Sequence, residues 1–315
     1  MKKNNILKTF DLYDFNKIKN LLKMLNIDDK FDYIQYLNLE KIIIYFYKLN
    51  YVLKISNSNH SIRLSVNEKI GYDNSNLLSK FINVPLYKCI HNDENLFVSK
   101  IKYLGNKKGN YFQLNDFYKF NKNIPLKKSI KSNEYIERLN LKYLSRNNLS
   151  EIKEIKNFSN YFIRKFGNEN LPTNVSHGDL VHWNTLAYNK VNYLYDLEHF
   201  DLSRIVYYDI IHWYVAPFFM KLYKLKITFT YKVLFRHLLN LLKRKLTKSF
   251  FLNLDQKFQN QIIFLYFFEK KLFYYQLFSE NNTTFHMTKD YYLRSLNQIT
   301  LINMSLDLLL KNKNE

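Results

Sequence analysis

The sequence predicts an α+β protein with two lobes, a small β-rich N-terminal lobe over residues 1–103 and a larger, mainly helical C-terminal lobe over residues 104–315. Runs of β-branched and aromatic residues concentrate in the first hundred positions, whereas helical spacing of apolar residues dominates afterwards. With 315 residues, 47% of them hydrophobic, the chain can bury a core. Only four prolines and five glycines occur, and no repeat, which argues against modules on flexible linkers.

Five elements are predicted in the N-terminal lobe. Apolar residues at helical spacing indicate a short amphipathic helix over residues 14–25. The stretch KIIIYFYKLNYVLKIS indicates two strands that meet at a turn near Leu49 and Asn50. A second helix is expected over residues 62–81, and the stretch LFVSKIKYL at residues 96–104 returns to strand. The expected apolar face of that second helix consists of Leu64, Ile70, Leu77, Leu78 and Phe81.

The C-terminal lobe is predicted to be helical with one interruption. Residues 115–166 contain helices with charged faces, residues 175–198 contain short strands, and the helical pattern resumes at Asp209. Apolar runs are far shorter than the roughly 20 residues that span a bilayer, and the N-terminus does not resemble a signal peptide. The single Cys89 excludes an internal disulfide and suggests a reducing compartment. We therefore expect a cytoplasmic protein, and leave open a peripheral contact of basic helices with a membrane.

The formal net charge of +21 indicates an anionic partner, but only eight of the 48 basic residues are arginine. Such a lysine bias, with abundant Asn and Ile, is typical of an AT-rich genome, which reduces the weight of the charge. No zinc-finger spacing, basic zipper or RNA-recognition motif accompanies it. Binding to nucleic acid is therefore not predicted.

One stretch, residues 175–200, carries polar residues in a pattern that indicates chemistry. Within it, NTLAYNKVNYLYD reads as a hairpin that turns at Asn189 and Lys190. Counting back from the turn pairs Tyr188 with Val191 and Leu186 with Tyr193, which places Asn184 opposite Tyr195, next to Asp196, at the open end. Asp179 lies five residues before Asn184, in the loop that enters that end. The sequence therefore predicts that three oxygen-bearing side chains converge there.

Such a set suits a nucleotide triphosphate. Mg²⁺ is commonly bound through one or two protein carboxylates while phosphate oxygens complete its octahedron. A nearby carboxylate that is not a metal ligand can accept a proton from an attacking hydroxyl. The hairpin and the loop before it therefore predict phosphoryl transfer from a nucleotide.

The stretches HGDLVHWN and YDLEHF resemble the catalytic and metal-binding loops of the aminoglycoside phosphotransferase and choline kinase family, which has a protein-kinase-like fold. The resemblance implies that Asp179 is the catalytic base, that Asn184 and Asp196 bind Mg²⁺, and that ATP is the phosphoryl donor. It also implies supporting roles for three further residues. These are His177, which braces the loop, Glu198 near the metal, and Asp209, which holds the backbone of the catalytic loop.

A kinase-like site also needs a strand lysine for the nucleotide phosphates and an acidic helix residue that fixes it. Lys54 in YVLKIS is the expected lysine, and Glu68 is the only glutamate between residues 55 and 93. Val52 shares the strand face of Lys54 and is expected to cover the adenine. The backbone of the segment from Ser99 to Ile101 is expected to face the adenine as well.

One departure from protein kinases is the lack of any glycine in residues 1–70, where a glycine-rich loop would cover the phosphates. Phosphate contacts would then come from other backbone amides or from side chains such as Asn38, Lys41 or Ser56. The departure leaves open a catalytically weak protein of the same fold that binds a membrane or an acidic partner.

The acceptor is expected to be a small hydroxyl compound. Residues 221–248 carry nine Lys or Arg and no acidic residue, which favours an anionic or lipid-linked acceptor such as a sugar or a polysaccharide precursor. A choline or ethanolamine kinase is the alternative, because aromatic residues can surround a cationic head group. The side chains expected to contact the acceptor are His182, Trp183 and Trp213.

Overall fold

A computed structural model describes residues 14–38, 41–78, 82–105, 126–143, 149–188, 191–225, 231–248, 256–281 and 289–311. It confirms the predicted α+β class, with a β-sheet in the N-terminal part and mostly helices in the C-terminal part. The described residues form two compact units. The first unit contains the described residues up to 105 together with 182–200, and the second contains those of 126–181 and 201–311. The hairpin segment thus groups with the N-terminal sheet, whereas the sequence-based division at residue 103 had assigned it to the C-terminal lobe.

The described residues form ten strands and eight α-helices. The described strands are β1 (Tyr33–Asn38), β2 (Lys41–Phe46), β3 (Tyr51–Ser56), β4 (Tyr87–Asn92), β5 (Phe97–Lys102), β6 (Leu126–Lys131), β7 (Asn170–Ser176), β8 (Thr185–Tyr188), β9 (Val191–Leu194) and β10 (Asp201–Ile205). The described helices are α1 (Phe15–Met24), α2 (Asn59–Asp73), α3 (Ser132–Tyr143), α4 (Leu149–Phe166), α5 (Tyr208–Leu225), α6 (Tyr231–Lys248), α7 (Gln256–Asn281) and α8 (Lys289–Lys311).

The first unit is built on a five-stranded antiparallel sheet in the order β1-β2-β3-β5-β4. Side chains alternate between its faces, so Leu53 and Ile55 of β3 enter an apolar core with Ile42 and Ile44 of β2. Helix α1 covers this core, as its amphipathic sequence predicts, and Asp14 caps its first turn. The other face of the sheet carries the polar residues of the site.

Helix α2 differs from its prediction. It begins at Asn59 and ends at Asp73, several residues before the expected end, and a short 3₁₀ turn (Ser75–Leu77) follows. Ile70, assigned to the apolar face, is exposed, while Ser61, Ser65 and Glu68 are buried. The prediction was wrong because it assumed that α2 covers an apolar core, whereas the buried face of α2 is largely polar. Phe81 lies outside the described residues.

The hairpin of β8 and β9 has the predicted register. Tyr188 pairs with Val191 and Leu186 pairs with Tyr193, while the Tyr195 amide donates to the Asn184 carbonyl at 3.0 Å. The turn residues themselves, Asn189 and Lys190, lie outside the described part of the chain. The hairpin is held within the first unit by Asn83, whose backbone bonds to the backbones of Asn192 and Leu194.

The second unit combines the helices α3 to α8 with a small antiparallel sheet in the order β10-β7-β6. Its buried polar centre is Glu269 of α7, which accepts hydrogen bonds from the hydroxyls of Tyr135 and Tyr143 and pairs with Arg204 at 3.0 Å. Such a satisfied network fixes the helices against the sheet. Among the described residues, no helix is long and apolar enough to cross a membrane.

Candidate functional site

The polar face of the first unit's sheet carries the residues predicted to bind a nucleotide. Lys54 is paired with Ser99, and Val52 is paired with Ile101, so the four side chains share one face. The backbone of β5, however, pairs with β3 on one side and β4 on the other. The prediction that the backbone from Ser99 to Ile101 faces the adenine is therefore wrong, because its amides and carbonyls are engaged in the sheet. The side chains of Ser99 and Ile101 are what this segment offers to the site.

Lys54 is the centre of a buried charge cluster. Its Nζ lies 2.7 Å from Glu68 Oε1, 2.9 Å from Asp196 Oδ1 and 3.5 Å from Glu198 Oε1. Burial alone would lower the pKa of Lys54, but the Asp196 and Glu68 carboxylates outweigh it, and the pKa is raised above its ordinary value. The predicted pairing of Lys54 with Glu68 is thus present in the structure, across fourteen positions of sequence.

A second buried lysine, Lys41, joins this cluster. It is the first residue of β2, opposite Ser56, and therefore lies diagonally from Lys54 on the same face of the sheet. Its Nζ forms an ion pair with Glu198. Burial, followed by the Lys54 ammonium, lowers the pKa of Lys41 to about 8, although Glu68 and Asp196 oppose this. Two lysines therefore face three carboxylates.

The same three carboxylates could hold a metal ion. One oxygen from each of Glu68, Asp196 and Glu198 lies within 4.8 Å of the others, which is close to the spacing around a single divalent cation. Glu68 Oε2 is buried and has no hydrogen-bond partner among the described residues. An all-oxygen donor set with one unsatisfied carboxylate atom fits Mg²⁺. Asn184, the other predicted ligand, is buried at the open end of the hairpin, and its role as a ligand remains a prediction.

Asp196 has a left-handed backbone conformation, with φ 61° and ψ 58°. Outside glycine this conformation is uncommon, although aspartate tolerates it better than most residues. Strained residues of this kind cluster at functional sites.

Helix α2 clamps the segment that carries Asp196 and Glu198. Asn67 Nδ2 donates to the backbone carbonyls of Glu198 at 2.6 Å and Phe200 at 3.0 Å. One turn on, Gly71 is so close that an added Cβ would stand 2.7 Å from the Leu197 Cβ. The helix that supplies Glu68 therefore also fixes the carboxylates around Lys54.

In the second unit, the loop before Asp179 is held by Asp209. The Asp209 carboxylate accepts from the backbone N–H of His177 at 2.9 Å, from that of Gly178 at 2.8 Å, and from the Ser176 hydroxyl. Gly178 has φ +83°, a value that glycine adopts without strain. The predicted role of Asp209, to hold this backbone, is present in the structure.

The Asp179 carboxylate is positioned by a histidine that the sequence analysis did not identify. His212 Nε2 lies 2.6 Å from Asp179 Oδ1, and His212 Nδ1 lies 2.8 Å from the Tyr266 hydroxyl. Burial, followed by the charge of Lys270, lowers the pKa of His212 to about 4, so its ring is neutral at pH 7. A carboxylate can only accept, so Nε2 carries the proton and donates, and Nδ1 accepts from Tyr266.

The three predicted acceptor contacts lie in different surroundings. Trp183 is 47% exposed, and its ring meets that of His182 edge to face at 4.5 Å. Burial lowers the pKa of His182. Trp213 is half-buried on α5, next to His212 in sequence. Contact of these residues with an acceptor remains a prediction.

Three side chains of the second unit that act on or near the Asp179 loop were missed by sequence reasoning, namely His212, Tyr266 and Lys270. Each lies on a long C-terminal helix, where local spacing gives no sign of which distant loop a side chain meets. The signal that could have indicated His212 is its position one helical turn after Asp209, on the same helix face.

No sequence-family profile matches the chain, and no curated protein is significantly similar to it in sequence. Solved structures do share its fold. A mutant aminoglycoside phosphotransferase APH(4)-Ia, complexed with ADP and hygromycin B, gives a TM-score of 0.57 at 9% identity, covering 94% of this chain and 98% of that one. The GDP and kanamycin complex of APH(2")-IIia gives 0.52 at 11% identity, covering 94% and 99%.

Choline kinase LicA from Streptococcus pneumoniae gives a TM-score of 0.50 at 10% identity, with 93% of this chain and 98% of that one covered. These likenesses extend over nearly the whole of each chain. They confirm the protein-kinase-like fold that the motifs around Asp179 and Asp196 predicted.

Proposed function

We propose that the protein is a phosphotransferase that moves the γ-phosphate of ATP, in the presence of Mg²⁺, to a hydroxyl group of a small acceptor. The observation that carries the proposal is the contact of one strand lysine, Lys54, with Glu68 and with Asp196, which is 142 residues away in sequence. A purely structural ion pair needs one partner, whereas this lysine has three carboxylates around it. The fold shared with nucleotide-bound phosphotransferases supports the same conclusion.

In this proposal the first unit binds the nucleotide. Val52 and Ile101 would contact the adenine, and Lys54, held by Glu68, would contact the phosphates. Lys41 would supply a second cationic contact to the phosphates. This contact would stand in for the glycine-rich loop that residues 1–70 lack. Asp196 would bind Mg²⁺, together with Asn184 or with the neighbouring Glu198. The ion would neutralise charge that develops on the transferred phosphate.

Asp179 would act as the base in the second unit. Its carboxylate would accept the proton of the acceptor hydroxyl while the new oxygen–phosphorus bond forms and the bond to the β-phosphate oxygen breaks, releasing ADP. His212 and Asp209 would orient the loop and the carboxylate without reacting.

For the acceptor, a sugar or a precursor of a polysaccharide or lipid-linked glycan is proposed. The basic helices of the second unit support an acceptor of this kind, with peripheral contact of those helices to a membrane as an extension. A choline or ethanolamine kinase is the second candidate, supported by the fold shared with choline kinase LicA.

The experiment is a phosphoryl-transfer screen with Mg·ATP against sugars, sugar phosphates, choline, ethanolamine and kanamycin, with Asp179→Asn as the inactive control. We expect one class of acceptor to be phosphorylated by the wild type and not by the variant. If the wild type binds Mg·ATP but phosphorylates no acceptor, and Asp179→Asn behaves like it in every assay, the chain is a kinase-fold binding protein instead.

A further inference from the structure

Lys270 is a half-buried lysine that has no ion-pair partner in the described part of the chain. Its Nζ lies 5.8 Å from the ring centroids of Tyr208 and Phe273, and it forms no ion pair or hydrogen bond with any described residue. The adjacent Glu269 is not its partner, because that carboxylate is engaged by Arg204, Tyr135 and Tyr143.

Lys270 lies close to the residues that position the proposed base. The ring of Tyr208, against which Lys270 lies, stands 6.3 Å from the ring of His212 and 5.0 Å from that of Tyr266, the two residues that hold Asp179. The charges also influence one another. Burial lowers the pKa of Lys270 to about 8 while Asp179 opposes this, and Lys270 in turn helps to lower the pKa of His212.

A partly desolvated ammonium without an ion-pair partner is unfavourable, and an anionic ligand would supply that partner. Lysine is a common partner of phosphate and carboxylate groups, which it binds as a point charge. The nucleotide phosphates have their own lysines in the first unit, Lys41 and Lys54. That leaves the acceptor as the source of the anion.

We propose that Lys270 binds an anionic group, a phosphate or a carboxylate, on the acceptor whose hydroxyl is deprotonated by Asp179. This inference rests on the proposed function and narrows its substrate class to acidic or phosphorylated hydroxyl compounds. It also disfavours choline and aminoglycosides, because a cationic acceptor would meet a like charge next to the base.

Inorganic phosphate is the probe, titrated calorimetrically into the full-length protein without nucleotide. Lys270→Met is compared with Lys257→Met, which removes the same charge from an exposed position of the same helix. We expect phosphate to bind the wild type and Lys257→Met alike, and Lys270→Met about tenfold more weakly. Lys270→Met should melt no lower than the wild type, because it removes a charge that lacks an ion-pair partner.

Two results would overturn the assignment and leave the proposed function intact. Equal phosphate binding by the wild type and both variants would show that Lys270 holds no anion. Weaker binding of ATP to Lys270→Met, with unchanged binding of ADP, would show that Lys270 serves the γ-phosphate rather than the acceptor. If the wild type binds no Mg·ATP at all, the proposed function fails, and this assignment fails with it. Titration of the wild type with Mg·ATP therefore distinguishes the two kinds of failure.

Discussion

The two units fix their key carboxylates in opposite ways. In the first unit, Asp196 is held by charge, since Lys54 and Lys41 face it and two further carboxylates. In the second, Asp179 is held by a neutral donor, because His212 is buried with its pKa lowered to about 4. A charged partner suits a group that must stay ionised beside a metal or phosphate. A neutral partner allows a carboxylate to take up a proton. The charge of the partner therefore distinguishes a carboxylate that binds from one that acts as a base.

The largest effect should come from Asp179→Asn. The amide keeps an oxygen that can accept from His212, so the loop should stay in place while the base is lost. We expect kcat to fall about 10³-fold with the ATP dissociation constant unchanged. Steady-state kinetics and a nucleotide titration check this. A comparable loss of ATP affinity would show that Asp179 binds the nucleotide rather than acting as the base.

The neutral state of His212 predicts a pH dependence of stability. Its folded pKa of about 4 lies below the unfolded value of 6.5, so between these values the unfolded chain binds the extra proton and stability falls as the pH is lowered. From pH 7.5 to pH 5 the loss is about 2 kcal/mol. Thermal unfolding at the two pH values should show a smaller loss for His212→Gln, whereas the exposed His237→Gln should behave as the wild type. An unchanged loss in His212→Gln would mean that His212 is protonated in the folded protein.

Gly71→Ala tests the clamp of α2 on the charged cluster. The new Cβ would stand 2.7 Å from the Leu197 Cβ and 3.0 Å from the Phe200 Cβ, so the segment after Asp196 must shift. Overpacking of this kind costs about 1 to 3 kcal/mol, against about 1 kcal/mol gained from the better helix propensity of alanine. We expect a lower melting temperature, and a further drop for Gly71→Val. Equal stability of the wild type, Gly71→Ala and Gly71→Val would show that the space between Gly71 and Leu197 accommodates a side chain.

The smallest effect is expected for Lys41→Met. Loss of one of two phosphate lysines should weaken ATP binding about tenfold and leave adenosine binding unchanged, because adenosine has no phosphate. Lys69→Met, at an exposed position of α2, is the matched control. Equal weakening for ATP and adenosine would assign Lys41 only to the neutralisation of Glu198.

The contrast between the units also explains what the sequence could predict. The fold class, the hairpin register and the pairing of Lys54 with Glu68 follow from local periodicity and from the scarcity of glutamate between residues 55 and 93. The contacts of His212, Tyr266 and Lys270 depend on how long helices pack in the second unit, which no local pattern encodes. The polar face of α2 was misjudged for the same reason, since its buried serines look like part of a solvent-exposed face when the sequence alone is read.

The cluster around Lys54 and Asp196 is proposed to bind a magnesium-bound nucleotide. Thermal unfolding with ATP, with and without Mg²⁺, tests it on the wild type and on Asp196→Ala. We expect Mg·ATP at millimolar concentration to raise the melting temperature of the wild type, and Asp196→Ala to lose the part of that increase that depends on Mg²⁺. A wild type whose melting temperature does not respond to Mg·ATP would contradict the account.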